Sequence, residues 1–227
     1  KNLVDAEVMI GSLLKEGFEI TNENADADAL IINTCSFIDA AQEESVDTIL
    51  ESAEFREHAN SVQALIVSGC LSQRYRKELP RLMPEVDAFM GIDQVEQVGD
   101  IVRQAVGNRG SRLGQATEKP NGNETETTAE PPGEPLIDIH SRPDYIPAFD
   151  TPRLRLTPDH FAYVKIAEGC NHPCSFCIIP RMRGSHRSRS QADIVQEARQ
   201  LVSDGVKELN LISQDSTYYG LDLRPGH

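Results

Sequence analysis

No apolar run in the 227 residues approaches the ~18 that a membrane-spanning helix requires, so no transmembrane helix is expected. The stretch Lys1 to Glu7 carries acids and no apolar core, so it lacks the make-up of a signal peptide. A cytoplasmic protein without a membrane partner is expected. Basic residues are scarce: 22 Lys and Arg stand against 36 Asp and Glu, a net charge of −14. The deficit is uneven. Residues 1–107 hold 8 basic and 20 acidic residues, residues 108–160 hold 6 and 9, and residues 161–227 hold 8 and 7. An acidic first segment disfavours non-specific nucleic-acid binding but leaves room for a specific RNA or ribosomal partner. An even set of cysteines is also lacking. Five is an odd number, and three crowd between Cys170 and Cys177. A disulfide framework fits that pattern badly, whereas thiolates kept reduced for a metal fit it well. The chain shows no internal repeat.

What is present is an alternation of helix and strand. Leu3, Val4, Val8, Ile10, Leu13 and Leu14 recur at helical spacing and stop near Gly17, which predicts a helix over Asn2–Lys15. Ala29–Asn33 and Val62–Val67 are short continuous apolar runs, as in buried parallel strands. Between them Phe37–Phe55 reads as an amphipathic helix with an acidic outer face. Arg74–Leu82 predicts a short helix, Asp87–Met90 a strand and Gln94–Val106 a further helix. This order predicts an α/β fold with a parallel sheet over residues 1–107. From Gly107 to Pro135 the composition turns to Gly, Pro, Thr, Asn and Glu, which predicts a disordered linker or insertion. Residues 136–160 read as an extended surface run, so residues 108–160 separate two units. In residues 161–227, Ala162–Ala167 reads as a strand, Ser190–Ser203 as a helix capped by Ser190 and ended by Gly205, and Val206–Ile212 as a strand. That is one βαβ unit, too small to bury its own sheet. The chain opens at Lys1 and closes at His227 in the manner of a piece of a longer protein.

Cys170, Cys174 and Cys177 have the spacing C-x3-C-x2-C, with no fourth cysteine nearby. Three thiolates can hold three irons of a [4Fe–4S] cluster and leave the fourth iron open to a small molecule. Two alternatives remain. A zinc site would need a fourth ligand such as His172, although the spacing is tighter than the usual zinc knuckles. A cluster that only passes electrons is the other, although the ferredoxin run differs in order and count. Cys35 and Cys70 each lie just beyond the end of a predicted strand. In open parallel sheets ligands bind at the carboxyl ends of strands, so these two are expected to face one crevice. The plainer alternative is that each is a small buried hydrophobe.

The triad after a strand, with the aromatic Phe176 just before its last cysteine, resembles the signature of the radical S-adenosylmethionine superfamily. Residues 1–107 resemble the N-terminal domain of the methylthiotransferases within it. There Ile32 to Cys35 and Ser68 to Tyr75 match two of the family's three cysteine motifs. The third cysteine of the family lies just ahead of the position of Lys1. Lys1 to Asp5 and the run from Cys35 to Ser45 resemble the branch that modifies small-subunit ribosomal protein twelve; Ala6 stands where that family usually has Ser. The tRNA-modifying branch typically opens on Met-Asn instead of Lys-Asn. The resemblance covers the first 107 residues and the last 67, not the linker.

The resemblance implies a flavodoxin-like first domain that lacks its first strand here, the start of a radical (β/α) partial barrel over residues 161–227, and a small RNA-binding barrel beyond. It implies two [4Fe–4S] clusters, one on Cys170, Cys174 and Cys177 and one on Cys35, Cys70 and the further cysteine. It implies that S-adenosylmethionine, cleaved by one electron, yields a radical that takes hydrogen from an aspartate β-carbon of the ribosomal protein. The second cluster then delivers the methylthio group. A reductase or flavodoxin-type protein is the implied electron donor. Phe176 is expected to bind the cofactor near its adenine, or else to pack in a core. Gln214 and Asp215 follow the last strand and could face the cofactor or simply form a turn. Arg181, Arg183, Arg187 and Arg189 form a basic run, expected as a solvated face or, more sharply, as a contact for ribosomal RNA or anionic cofactor groups. No acid–base catalytic residue is assigned. A rival of another class is a non-catalytic iron–sulfur or zinc scaffold.

Overall fold

The computed structural model describes residues 1–58, 63–117 and 134–224. Helix α1 (Asn2–Lys15) turns Val4, Val8, Met9 and Leu13 inward and ends near Gly17, whose φ of 86° suits a residue without a side chain. Strand β1 (Ala29–Thr34), helix α2 (Asp39–His58) and strand β2 (Ala64–Gly69) follow. Two short helices, α3 (Cys70–Arg74) and α4 (Leu79–Leu82), lead to β3 (Ala88–Met90), then α5 (Val98–Thr117) and β4 (Leu136–Asp138). The four strands pair in the order β1-β2-β3-β4, all parallel.

Side-chain alternation places a core on each face of this sheet. Ala64, Ile66, Ala88 and Met90 pack against α1 and α5. Leu65, Val67 and Phe89 pack against Ile49 and Ala53 of α2, Leu71 of α3 and Leu79 of α4. Both faces being covered explains why β2 reads as a continuous apolar run. Each large side chain removed from water there contributes about 1.5–3 kcal/mol. A buried ion pair, Arg56 to Asp87 at 2.6 Å, pins α2 to the start of β3, and the same carboxylate accepts the Leu65 N–H at 2.8 Å.

The second unit holds β5 (Phe161–Lys165), β6 (Ala167–Glu168), α6 (Ile179–Arg183), β7 (Arg187–Ser188), α7 (Gln191–Ser203) and β8 (Glu208–Ile212). β5 and β8 pair in parallel across α7, and β6 pairs antiparallel with β7. Ser190 caps α7 by accepting the Asp193 N–H at 3.2 Å, as its sequence position predicts. The units meet along α1. The Leu154 N–H donates to the Glu7 carbonyl at 2.9 Å, and Arg153 and the Leu156 N–H both donate to the fully buried Glu7 carboxylate. Gly11 permits this approach, because a Cβ there would lie 2.4 Å from the Arg153 nitrogen.

Three local expectations differ from the structure. The helix expected over Arg74–Leu82 starts only at Leu79: α3 ends at Arg74 and residues 75–78 form a turn. Pro80 lacks an N–H and restricts the residue before it, so it starts α4 instead of continuing α3. Helix α5 runs past Gly107 to Thr117, since one glycine costs a helix interior only about 1 kcal/mol. Residues 136–138, expected on the surface, add β4 to the sheet, with Leu136 opposite Ala88 and Ile137 opposite Phe89. Residues 118–133, the centre of the expected linker, lie outside the described residues.

Candidate metal centres at two cysteine groups

The loop bearing Cys170, Cys174 and Cys177 leaves the end of β6. Gly169 makes the turn with φ of 72°, and a Cβ on it would fall 2.1 Å from the Ser185 carbonyl oxygen. Only glycine fits, because the loop folds back on residues 184–185. The Cys170 N–H donates to the Gly184 carbonyl at 3.1 Å, the Cys177 N–H to the Cys174 carbonyl at 3.2 Å, and the His186 N–H to the Asn171 side-chain oxygen at 2.9 Å. The backbone is thus held while the side chains stay accessible: Cys174 is exposed and Cys170 and Cys177 are half-buried. All five cysteines are free thiols. Phe176 is 91% exposed, so packing in a core is not its role among the described residues. His172 is engaged by Asp215, with Nε2 2.6 Å from the carboxylate, and its ring packs edge-on against Tyr218.

Cys35 and Cys70 stand at the carboxyl ends of neighbouring parallel strands, with Thr34 opposite Gly69 in register. Ser45 on α2 brackets Cys35, accepting its N–H at 3.0 Å and donating to its carbonyl at 2.8 Å. Gly69 has φ of 96°, and a Cβ there would lie 2.5 Å from the Thr34 carbonyl oxygen, so the two strand ends come close only because residue 69 is glycine. The Thr34 hydroxyl accepts the Leu71 N–H at 3.2 Å and donates to the Ser68 carbonyl at 2.5 Å. Cys35 and Cys70 are near enough for their charges to interact. Burial pushes the Cys70 thiol up, against the pull of the adjacent Arg183 guanidinium.

Arg183 joins the two groups. It lies on α6, the helix after the triad, and its Nη2 is 3.4 Å from the Cys70 sulfur. The same guanidinium contacts Asp5 at 3.0 Å and Glu168 at 3.1 Å. Lys165 pairs with Asp5 and, at 2.8 Å, with Glu168; Lys1 reaches Glu168 at 3.3 Å and the Gln214 side-chain oxygen at 2.6 Å. Burial would raise the Glu168 carboxyl, but Lys165, Arg183 and Lys1 outweigh it and hold the group well below the carboxylate range. Burial likewise opposes the charge on Lys165, and the Asp5 and Glu168 carboxylates reverse that and raise it. The network spans both units: Lys1 and Asp5 come from the start of the chain, Lys165, Glu168, Arg183 and Gln214 from the second unit. A second joint lies beside it, where Met182 sulfur sits 3.4 Å from the Ser36 hydroxyl.

These positions revise one expectation and sharpen others. The basic run is not a solvated face. Arg183 and Arg189 are buried, Arg189 against Asp193 and Glu197, while Arg187 is half-buried on backbone carbonyls and Arg181 is exposed. Gln214 faces the charged network instead of forming only a turn. The contact of Arg183 with Cys70 had no sequence signal, because the residues lie in different units. The start of the chain offered a hint in its Lys-Asn opening, whose Lys1 now proves to reach the second unit.

The donor sets suit a cluster better than one ion. Among the described residues, the group of His, Cys, Asp and Glu with ligand atoms close enough to share one ion is Asp93, His140 and Asp144, not the cysteines. Asp93 there is already taken up by the Asp144 and Tyr145 N–H groups, so it serves as a loop anchor. Three reduced thiols on an accessible, backbone-braced loop can each take one iron of a cluster, and the cation beside Cys70 opposes the burial that raises its thiol.

Residues 1–91 match the family described as uncharacterized protein family UPF0004, and residues 164–223 match the radical SAM superfamily. The ribosomal protein uS12 methylthiotransferase RimO of Opitutus terrae is 49% identical over 225 residues, 98% of this chain and 44% of that protein. The protein of the same name from Akkermansia muciniphila is 49% identical over 224 residues, again 98% and 44%. The one from Myxococcus xanthus is 43% identical over 226 residues, 100% of this chain and 41% of its own length. The chain therefore spans less than half the length of these curated relatives.

Proposed function

We propose that the chain is part of a radical S-adenosylmethionine methylthiotransferase and that it serves the conversion of a specific aspartate of ribosomal protein uS12 to 3-methylthioaspartate. Cys170, Cys174 and Cys177 hold one [4Fe–4S] cluster, and Cys35 and Cys70 contribute ligands to a second. With S-adenosylmethionine bound, these groups supply the one-electron chemistry that removes hydrogen from an unreactive carbon and the sulfur that replaces it.

The chain's own residues do the positioning. Gly169 and the Ser185 carbonyl fix the triad loop, and Ser45 fixes Cys35. Arg183 offers a donor to the Cys70 sulfur and so opposes the burial that raises its thiol. Phe176 lies exposed beside the triad, available to the adenine of the cofactor. The buried ion network locks α1, which precedes β1, to the strand that carries the triad. Both cysteine groups thereby serve one reaction space. The observation that carries this reading is the single Arg183 side chain, which sits on the helix following Cys177 and touches Cys70. A reductase or flavodoxin-type protein supplies the electrons, and the setting is the cytoplasm.

Anaerobic reconstitution tests it. About four irons bound through Cys170, Cys174 and Cys177, with reductive cleavage of S-adenosylmethionine and a methylthio group gained by uS12 when the full-length protein is used, are the expected results; these 227 residues alone, under half the length of the relatives, are expected not to turn over. Bound zinc without cleavage would sink the reading. A methylthio group appearing on tRNA would move the chain to the sister branch.

A further inference from the structure

The chain carries many more acids than bases, yet one groove reverses that balance. It encloses about 800 Å³ between α3 with the turn after it, the loop 141–144, and α6 with the turn after it. Arg74, Arg76, Lys77, Arg142, Arg181 and Arg187 line it, against the acids Glu78 and Asp144. None of these six cations makes an ion pair with a carboxylate among the described residues. By contrast Arg56, Arg103, Arg153, Arg183 and Arg189 are all paired. Arg74, Arg76 and Arg187 donate to neutral backbone carbonyls, and Arg74 also lies over the Tyr75 ring at 5.1 Å, contacts that steady each guanidinium without an ion pair. Lys77, Arg142 and Arg181 are exposed, with no side-chain partner among the described residues. Six cations without an ion pair in one concavity, of which Arg187 alone is drawn by the carboxylates of Glu168, Asp93 and Asp144, repel one another, a cost that a bound anion reduces.

We propose that this groove binds the phosphate backbone of RNA. Cations spaced along a trough suit a chain of phosphates, and arginine forks match phosphate oxygens. An acidic peptide offers the same sign of charge to an arginine cluster, and competition by polyglutamate separates it from RNA. The location gives the contact its use. Arg74 closes the helix that Cys70 opens, Arg181 lies on the helix after the triad, and Met182 on the groove wall touches Ser36 beside Cys35. RNA held there lies at the mouth of both cysteine groups. The choice of RNA over other polyanions rests on the proposed ribosomal substrate, which would then be met together with its RNA.

The test is equilibrium binding of a fluorescein-labelled single-stranded RNA to the intact protein by anisotropy between 50 and 200 mM KCl. Three to six phosphate contacts predict a slope of log K against log salt between about −2 and −4. The R142E/R181E double variant is expected to weaken binding at 50 mM by more than about tenfold and to make the slope shallower by about 1.4. The R103E variant, altered at a paired arginine elsewhere, should bind as the parent does. Absence of binding at 50 mM, or a slope that the double variant leaves unchanged, overturns the proposal. So does displacement of the RNA by an equal charge of polyglutamate, which would assign the groove to an acidic protein. Iron binding by the double variant, read in parallel, shows that it is folded. It also keeps a failed RNA result separate from the fate of the two cysteine assignments.

Discussion

The two cysteine groups are built in opposite ways. Cys170, Cys174 and Cys177 occupy one short loop, held by hydrogen bonds within residues 169–186, with Cys174 exposed and Cys170 and Cys177 half-buried. Cys35 and Cys70 come from separate strand ends, and Cys70 is buried behind a cationic side chain from another unit. A local loop can change its ligands with little consequence for the fold. A site assembled from distant strands and buried charges cannot. The first group is therefore expected to fail chemically when mutated, the second structurally.

The largest effect expected is at Cys174. C174S should abolish iron binding at the triad and cleavage of S-adenosylmethionine, measured by iron content and product formation. The stability of the iron-free protein should change by no more than about 0.5 kcal/mol, because the residue is exposed. Loss of folding in C174S would break the contrast. Next is R183M, which leaves Asp5 and Glu168 short of a buried cation. Breaking such a pair costs about 3–5 kcal/mol, to be read from urea unfolding of the iron-free protein. A cost below about 1 kcal/mol would mean the network does not join the units.

The same network sets an acid limit. Glu168 is held below its ordinary 4.5, so its contribution to stability is complete above that pH and is lost as pH falls through the lowered folded value. Unfolding midpoints measured from pH 7 downward should fall below about pH 4.5, and E168Q should remove part of that slope while lowering stability throughout. G169A comes next. With φ of 72° and a carbonyl in the place of its Cβ, it should cost about 1–3 kcal/mol and lower iron occupancy at the triad while sparing the other group. The smallest effect is expected for F176A, which should weaken S-adenosylmethionine binding several-fold by calorimetry and leave the melting temperature unchanged. A marked drop in melting temperature would show that Phe176 is covered in solution.

Much of this was legible in the chain. Helix α1 matched its predicted bounds, and strands β1, β2, β3 and β8 fell within two residues of theirs, because each is a continuous apolar run or a regular helical stripe. The capped start of α7 was legible from Ser190 alone. The late helix start before Pro80 and the added strand Leu136–Asp138 were not. The first turned on how one proline could be accommodated, the second on a free sheet edge that three residues cannot announce. At the candidate site, the position of the triad on one loop and of Cys35 and Cys70 at strand ends was legible, because spacing and strand boundaries are local facts. The burial of Arg183 and Arg189 was hidden, since a run of arginines reads alike whether its carboxylate partners stand near or far.

By itself the sequence determined the elements and the candidate ligands: which segments alternate as helix and strand, and which five thiols are proposed to hold metal. Both follow from short-range properties, apolar periodicity and residue spacing. Only the tertiary structure decided that the two units lock together through Asp5, Lys165, Glu168 and Arg183, with Arg183 against Cys70, and that six cations without an ion pair line one groove. Charges in a chain have sign but no address. Their partners are fixed when strands, helices and loops from different units pack together and exclude the water that would otherwise screen them.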